Sequence, residues 1–138
     1  FWEKNSQYFK KILIDVAHNK DSIFALANFI SQKNIIPFTL ILGMVSDKLV
    51  IPIKIQLKEL CLKAEKIIYT PVDSPRTATT KQLECFIFGS EKSEYTNNTK
   101  HVSSPEEALE ICKSCSEQPI VVTGSFFLAG EIIKVLKN

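Results

Sequence analysis

The sequence is poor in the features that most often announce a function. Four glycines are spread over 138 residues. None of them builds the G-x-G-x-x-G turn of a dinucleotide fold or the G-x-x-x-x-G-K-[ST] loop of a P-loop ATPase. The segment from Thr123 to Phe127, TGSFF, is likewise not the G-x-S-x-G elbow of a serine hydrolase. A self-sufficient dehydrogenase, P-loop ATPase or esterase is therefore not expected. Charge of one sign is missing too. The formal net charge is +2 and the basic residues are scattered, so neither a nucleic-acid nor a membrane partner is marked. No stretch reaches the length of a membrane span, and the first fifteen residues carry Glu3, Lys4, Lys10, Lys11 and Asp15 in place of a signal-peptide core. A cytoplasmic protein is the expectation. Internal repeats and low-complexity segments are absent. Residue 1 is Phe and the single methionine is Met44, so the chain is expected to be a piece of something larger.

Cysteine is present but not in a pattern that compels a site. Cys112 and Cys115 form C-K-S-C, which invites a redox or zinc reading. There is no second pair, and the two histidines, His18 and His101, complete no ligand spacing. The pair also falls late in an expected helix, where the dipole opposes thiolate formation. Reduced structural thiols on or near the core face are expected for the four cysteines, and no metal site.

What the sequence does hold is a rhythm. With 45% hydrophobic and 23% charged residues, the chain is long enough for one domain with a real core. Short apolar runs at Ile12 to Val16, Phe38 to Leu42, Ile67 to Tyr69 and Ile120 to Val122 read as buried strands, each followed by a turn and a helical pattern. Ile23, Leu26, Ala27 and Ile30 repeat with helical spacing, as do Ile53, Leu57, Leu60, Cys61 and Ala64. Ser104-Pro105-Glu106-Glu107 joins an N-cap serine to a first-position proline and a third-position glutamate, so a helix starts there. Ala108, Cys112 and Cys115 are its expected inner face. Leu128, Ile132, Val135 and Leu136 stripe the last helix, which ends on Lys137 at the negative end of the dipole. Residues 89 to 100 read as an exposed polar connection, with a short strand at Lys100 to Val102. The predicted fold class is α/β, Rossmann-like, a mostly parallel sheet with helices on both faces.

In such folds ligands bind at the carboxyl ends of the strands. The polar residues expected there are Asp15, His18 and Asn19; Gly43, Ser46, Asp47 and Lys48; Asp73, Ser74 and Arg76; and Thr123, Gly124 and Ser125. Each has a plain structural alternative. Asn19 and Ser125 are good helix N-caps, Gly43 and Gly124 suit tight turns, and Asp47-Lys48 suits a solvated pair. Together they bring carboxylate, imidazole, ammonium, guanidinium and hydroxyl groups to one edge, a mix that suits nucleotide handling: carboxylates for ribose hydroxyls, lysine and helix N-termini for phosphates. A stand-alone α/β module binding a nucleotide or small anion remains open on these grounds.

Four segments carry a resemblance. ILIDVAHNKDSIFALANFI, LILGMVSDKLV, DSPRTATTKQL and VVTGSFFLAGEI, in this order, resemble the C-terminal domain of folylpolyglutamate synthase and dihydrofolate synthase, relatives of the Mur ligases. The likeness covers almost the whole chain, read as residues 1–138 of a single C-terminal ligase domain. It implies an ATP-dependent amide ligase in which ATP with Mg2+ phosphorylates a carboxylate of dihydropteroate or folate and L-glutamate attacks the acyl phosphate. The P-loop and the magnesium ligands then belong to an N-terminal domain of the same polypeptide, absent here, and the fragment alone is expected to be inactive. A monomer is implied as well. By the same resemblance Asp15 binds the ATP ribose, His18 places glutamate or steadies the phosphorylated intermediate, and Ser125 binds the incoming glutamate. Arg76 matches an arginine that grips the carboxylate of the incoming amino acid, and Lys48 contributes charge near the phosphates. Two departures stand out: Lys20 occupies a position where relatives have proline, and the Gly-Arg pair that relatives carry ahead of the first strand falls before Phe1.

Overall fold

The computed structural model describes residues 2–4, 11–89, 98–114 and 118–137, the first three by backbone alone. The strands are β1 (Trp2–Lys4), β2 (Ile12–Ile14), β3 (Thr39–Leu42), β4 (Lys66–Tyr69), β5 (Thr99–His101) and β6 (Ile120–Thr123). The helices are α1 (Lys20–Gln32), α2 (Ile51–Lys63), α3 (Thr80–Phe88), α4 (Pro105–Lys113) and α5 (Phe126–Lys137). One sheet runs β1-β2-β6-β3-β4-β5. Five strands are parallel and β1 pairs antiparallel with β2 at the edge. This is the α/β architecture read from the strand–helix rhythm.

Alternation along the strands feeds two separate cores. Leu13, Leu40, Leu42, Tyr69 and Val121 point to the layer of α1, α2 and α3. Ile12, Ile14, Ile41, Ile68, Ile120 and Val122 point to the layer of α4 and α5. Because both sheet faces are covered, the strands are apolar at successive positions rather than at every second one. The helical stripes meet these faces as their spacing requires: Ile23, Leu26, Ala27 and Ile30 on α1, and Ile53, Leu57, Leu60 and Cys61 on α2, are all buried. Truncating a fully buried member such as Leu57 to alanine costs about 2–5 kcal/mol.

Caps fix where the helices begin and end. Asn19 accepts from the Ser22 amide at 2.9 Å while the Ser22 hydroxyl serves the Asn19 amide, a reciprocal capping box. Thr79 and Gln82 repeat the device at α3. Ser104 accepts from the Glu107 amide at 3.1 Å, but the Glu107 carboxylate reaches Ser103 instead of the cap residue. At its far end α1 closes with Asn34 in the left-handed region (φ 56°), the Ile35 amide donating to Ile30 and the Asn34 amide to Ser31. That is a Schellman closure, with asparagine where glycine is usual.

Several expectations shift. Strand β1 and helix α3 lacked a legible apolar run or stripe of their own. The short strand near residue 100 is Thr99–His101, one residue earlier than read. Cys61 and Cys112 are buried as expected, but Cys85 is exposed on the outer side of α3; Cys115 and residues 90–97 lie outside the described residues. Ala64 is the C-cap of α2 and only half-buried, and Val135 and Leu136 sit at the margin of their core. Helix α2 is apolar on its outer side too, with Ile51 and Ile55 exposed.

Candidate functional site

Strand order creates the crevice. β6 lies between β2 and β3, yet β2 and β3 lead into helices of one layer and β6 into a helix of the other. Where neighbouring connections part to opposite faces, a cleft opens at the carboxyl ends. Two glycines let it close tightly at its base. Gly124 has φ +117°, and a Cβ there would run into the Gly43 carbonyl and the Met44 side chain. A Cβ on Gly43 would meet the Thr70 carbonyl at 2.8 Å. The plain reading as a turn glycine holds for Gly124, whereas Gly43 is required by the close approach of the Thr70 backbone and the Val72 side chain.

The cleft is about 320 Å³ and is lined by His18, Asp47, Lys48, Arg76 and Ser125, with Phe126 and Phe127 at the helix start. Residues from four separate turns thus meet on one surface. The His18 Nδ1 lies 2.8 Å from the Val16 carbonyl. A carbonyl only accepts, so Nδ1 carries the proton, and Nε2 is the ring nitrogen that this carbonyl does not engage. Its ring stands against Phe126, centroids 5.4 Å apart. Ser125 is buried, and its Oγ accepts from the Phe127 amide at 3.0 Å. The hydroxyl proton therefore stays available to a ligand oxygen, beside first-turn amides that have no acceptor within the helix.

Asp47 and Arg76 are paired, Oδ2 to Nη1 at 3.1 Å. The solvated Asp47-Lys48 pair envisaged from adjacency is thus replaced by a contact across 29 residues. Lys48 sits on the same short 3-10 helix, Ser46–Lys48. Of the residues expected at this edge, Asn19, Gly43, Ser46, Asp73, Ser74 and Thr123 do not line the cleft, and neither does Asp15. Asp15 stands at the end of β2, half-buried, with Oδ1 accepting from the Ala17 amide at 2.6 Å. Burial raises its carboxyl above the ordinary range, and the Ala17 amide partly offsets this. Among the described residues no three His, Cys, Asp or Glu side chains gather as a metal cage.

The stripe read for the last helix began at Leu128 and gave Phe126 and Phe127 no role, yet both line the cleft. They are exposed, 64% and 45%, and that exposure is the signal they are lining residues. Two large aromatics directly after a turn serine were the only hint in the sequence.

The family model "Dihydrofolate synthetase, C-terminal domain" matches residues 2–135. The chain belongs to that family. A search of curated proteins finds no match. Among solved structures, the fold is similar to that of a Yersinia pestis bifunctional folylpolyglutamate synthase/dihydrofolate synthase complexed with AMPPNP and Mn ion, at 24% identity and TM-score 0.71, over 93% of this chain and 29% of that one. E. coli FolC in complex with DHPP and ADP matches at 22% identity and TM-score 0.75, over 96% of this chain and 30% of that one. A bifunctional folylpolyglutamate synthase/dihydrofolate synthase with Mn, AMPPNP and L-glutamate bound matches at 25% identity and TM-score 0.73, over 97% and 30%. The chain spans less than a third of the length of these relatives, and among its described residues no helix is long and apolar enough to cross a membrane.

Proposed function

We propose that this chain is the glutamate-receiving domain of an ATP-dependent ligase that joins L-glutamate to dihydropteroate or folate, acting with an N-terminal P-loop domain of the same polypeptide. The observation that carries the reading is the convergence of His18, Lys48, Arg76 and Ser125 from separate turns on one cleft, in a member of the dihydrofolate synthetase family. ATP, with Mg2+ held mainly outside this chain, supplies activation of the folate carboxylate.

The residues here bind and orient. The Ser125 hydroxyl and the first-turn amides of α5 offer donors to a carboxylate of glutamate, and Arg76 offers a second, planar donor set to the other. His18, in its imidazolium form, stands beside them with Nε2 as a donor to the activated carboxyl or its phosphate. Lys48 adds positive charge where phosphate charge develops. Asp15, an acceptor at the end of β2, is assigned to the ribose hydroxyls. The enzyme is cytoplasmic and monomeric in this reading, and the domain alone folds without turning over.

Glutamate-dependent phosphate release from ATP by the complete polypeptide, with dihydropteroate or a reduced folate as acceptor, tests the proposal. His18→Ala is expected to lower turnover by roughly 100-fold; unchanged turnover reduces His18 to a structural residue. No release with either acceptor in the wild type sinks the ligase reading and leaves an anion-binding module.

A further inference from the structure

Asp47 is out of place in a cleft built for anions. Lys48, Arg76, the His18 imidazole and the start of α5 all favour negative charge, and among the described residues lining it Asp47 is the only carboxylate. If the cleft received only phosphate and carboxylate groups, Asp47 would repel every ligand it admits.

The backbone that carries it is firmly placed. The Ser46 amide donates to the Arg76 carbonyl at 2.7 Å and the Ala78 amide to the Met44 carbonyl at 2.8 Å, while Val45 and Thr77 form an isolated antiparallel bridge. The turn after β3 is thereby stitched to the turn after β4. Only the charged heads are free to move: the side chains of Asp47 and Arg76 are 52% and 64% exposed, and their ion pair is of the weak, solvent-screened kind. The structure thus holds a carboxylate and a guanidinium on fixed roots, joined by a contact that is easily opened.

We infer that this pair is the receptor for the two charges of an α-amino acid, Arg76 taking the α-carboxylate and Asp47 the α-ammonium. The inference rests on the ligase reading and names a specificity-determining residue within it. An amino-acid zwitterion carries opposite charges on one carbon and inserts into an opposite-charge pair with each charge exchanging one partner for another. A dicarboxylate without the amino group satisfies Arg76 and Ser125 but is repelled by Asp47. The cleft thereby distinguishes the amino acid from other small anions, using a repulsive element as well as attractive ones.

Steady-state kinetics on the complete polypeptide separate this role from a structural one. The variants are wild type and Asp47→Asn, and the readouts are KM for L-glutamate and the inhibition constant for glutarate, which lacks the ammonium. Asp47→Asn is expected to raise KM for L-glutamate about tenfold or more, leave KM for ATP within about twofold, and leave glutarate inhibition unchanged or tighter. Glutamate and glutarate weakened in parallel would show that Asp47 merely positions Arg76, and would overturn the assignment. Neither changing would overturn it equally. Asp47→Glu, which keeps the charge, is expected to recover part of the loss, and failure to do so would also count against it. A wild type without glutamate-dependent phosphate release brings down the ligase reading itself, an outcome distinct from these.

Discussion

Two clefts of nearly equal size open on this domain, about 320 Å³ and about 300 Å³, and their chemistry is opposite. The first gathers imidazole, ammonium, guanidinium and hydroxyl groups around the ends of β2, β3, β4 and β6. The second is walled by Asp73, Glu106 and Glu131, with Lys134 and the Ser104-Pro105 cap of α4. In the second cleft one wall carboxylate is engaged by a neighbouring amide. Glu131 Oε2 accepts from the Asp73 amide at 3.0 Å, and burial together with the Asp73 charge holds its carboxyl above the ordinary range despite that bond. In the first cleft donors are left over, from Ser125 and the α5 start. Volume does not separate the two; the balance of charge on their walls does.

The largest expected effect that breaks this contrast comes from the base of the first cleft. Gly124→Ala combines a left-handed φ with a Cβ driven into the Gly43 carbonyl, and is expected to destabilise the domain by about 2–4 kcal/mol. Urea unfolding measures the loss, and a midpoint equal to wild type would show that the turn relaxes. Next comes Asp15→Asn. It removes a carboxylate that is raised by burial, while the amide oxygen can still accept from Ala17. The penalty is absent at low pH, where folded and unfolded states are both protonated. It sets in as pH rises through the ordinary carboxylate range and is complete above the raised folded value. Thermal melts should therefore show the variant slightly more stable at neutral pH and equal to wild type in acid, while its KM for ATP rises several-fold, roughly 5-fold. A rise in stability with no change in KM would leave Asp15 a structural residue. The smallest effect belongs to the second cleft. Glu131→Gln keeps an acceptor for the Asp73 amide and is expected to leave turnover within about twofold. A larger change would make the second cleft part of the functional surface after all.

Much of this was legible in the residues. The cap signals at Asn19 and Ser104 and the stripes on α1 and α2 act over a few positions of chain, and the structure places them as the spacing requires. Helix α3 escaped because its capping box, Thr79 with Gln82, introduces a helix of nine residues with only Leu83 and Ile87 buried, too brief a stripe to stand out. Phe126 and Phe127 lay outside the stripe read for the last helix, and nothing adjacent in sequence says that a helix start projects a large apolar side chain into a cleft. For the four turns, the residue types pointed to a shared edge, but not to which of them meet.

The sequence by itself determined the elements other than β1 and α3, and the composition of the two sheet faces, because hydrogen-bonded periodicity and capping are settled within a turn or two of chain. Only the tertiary structure decided that β6 inserts between β2 and β3, setting Ser125 beside His18, and that Arg76 pairs with Asp47 rather than leaving it to Lys48. Those are contacts between segments far apart along the chain, selected by how two cores pack against one sheet, and no local pattern encodes them.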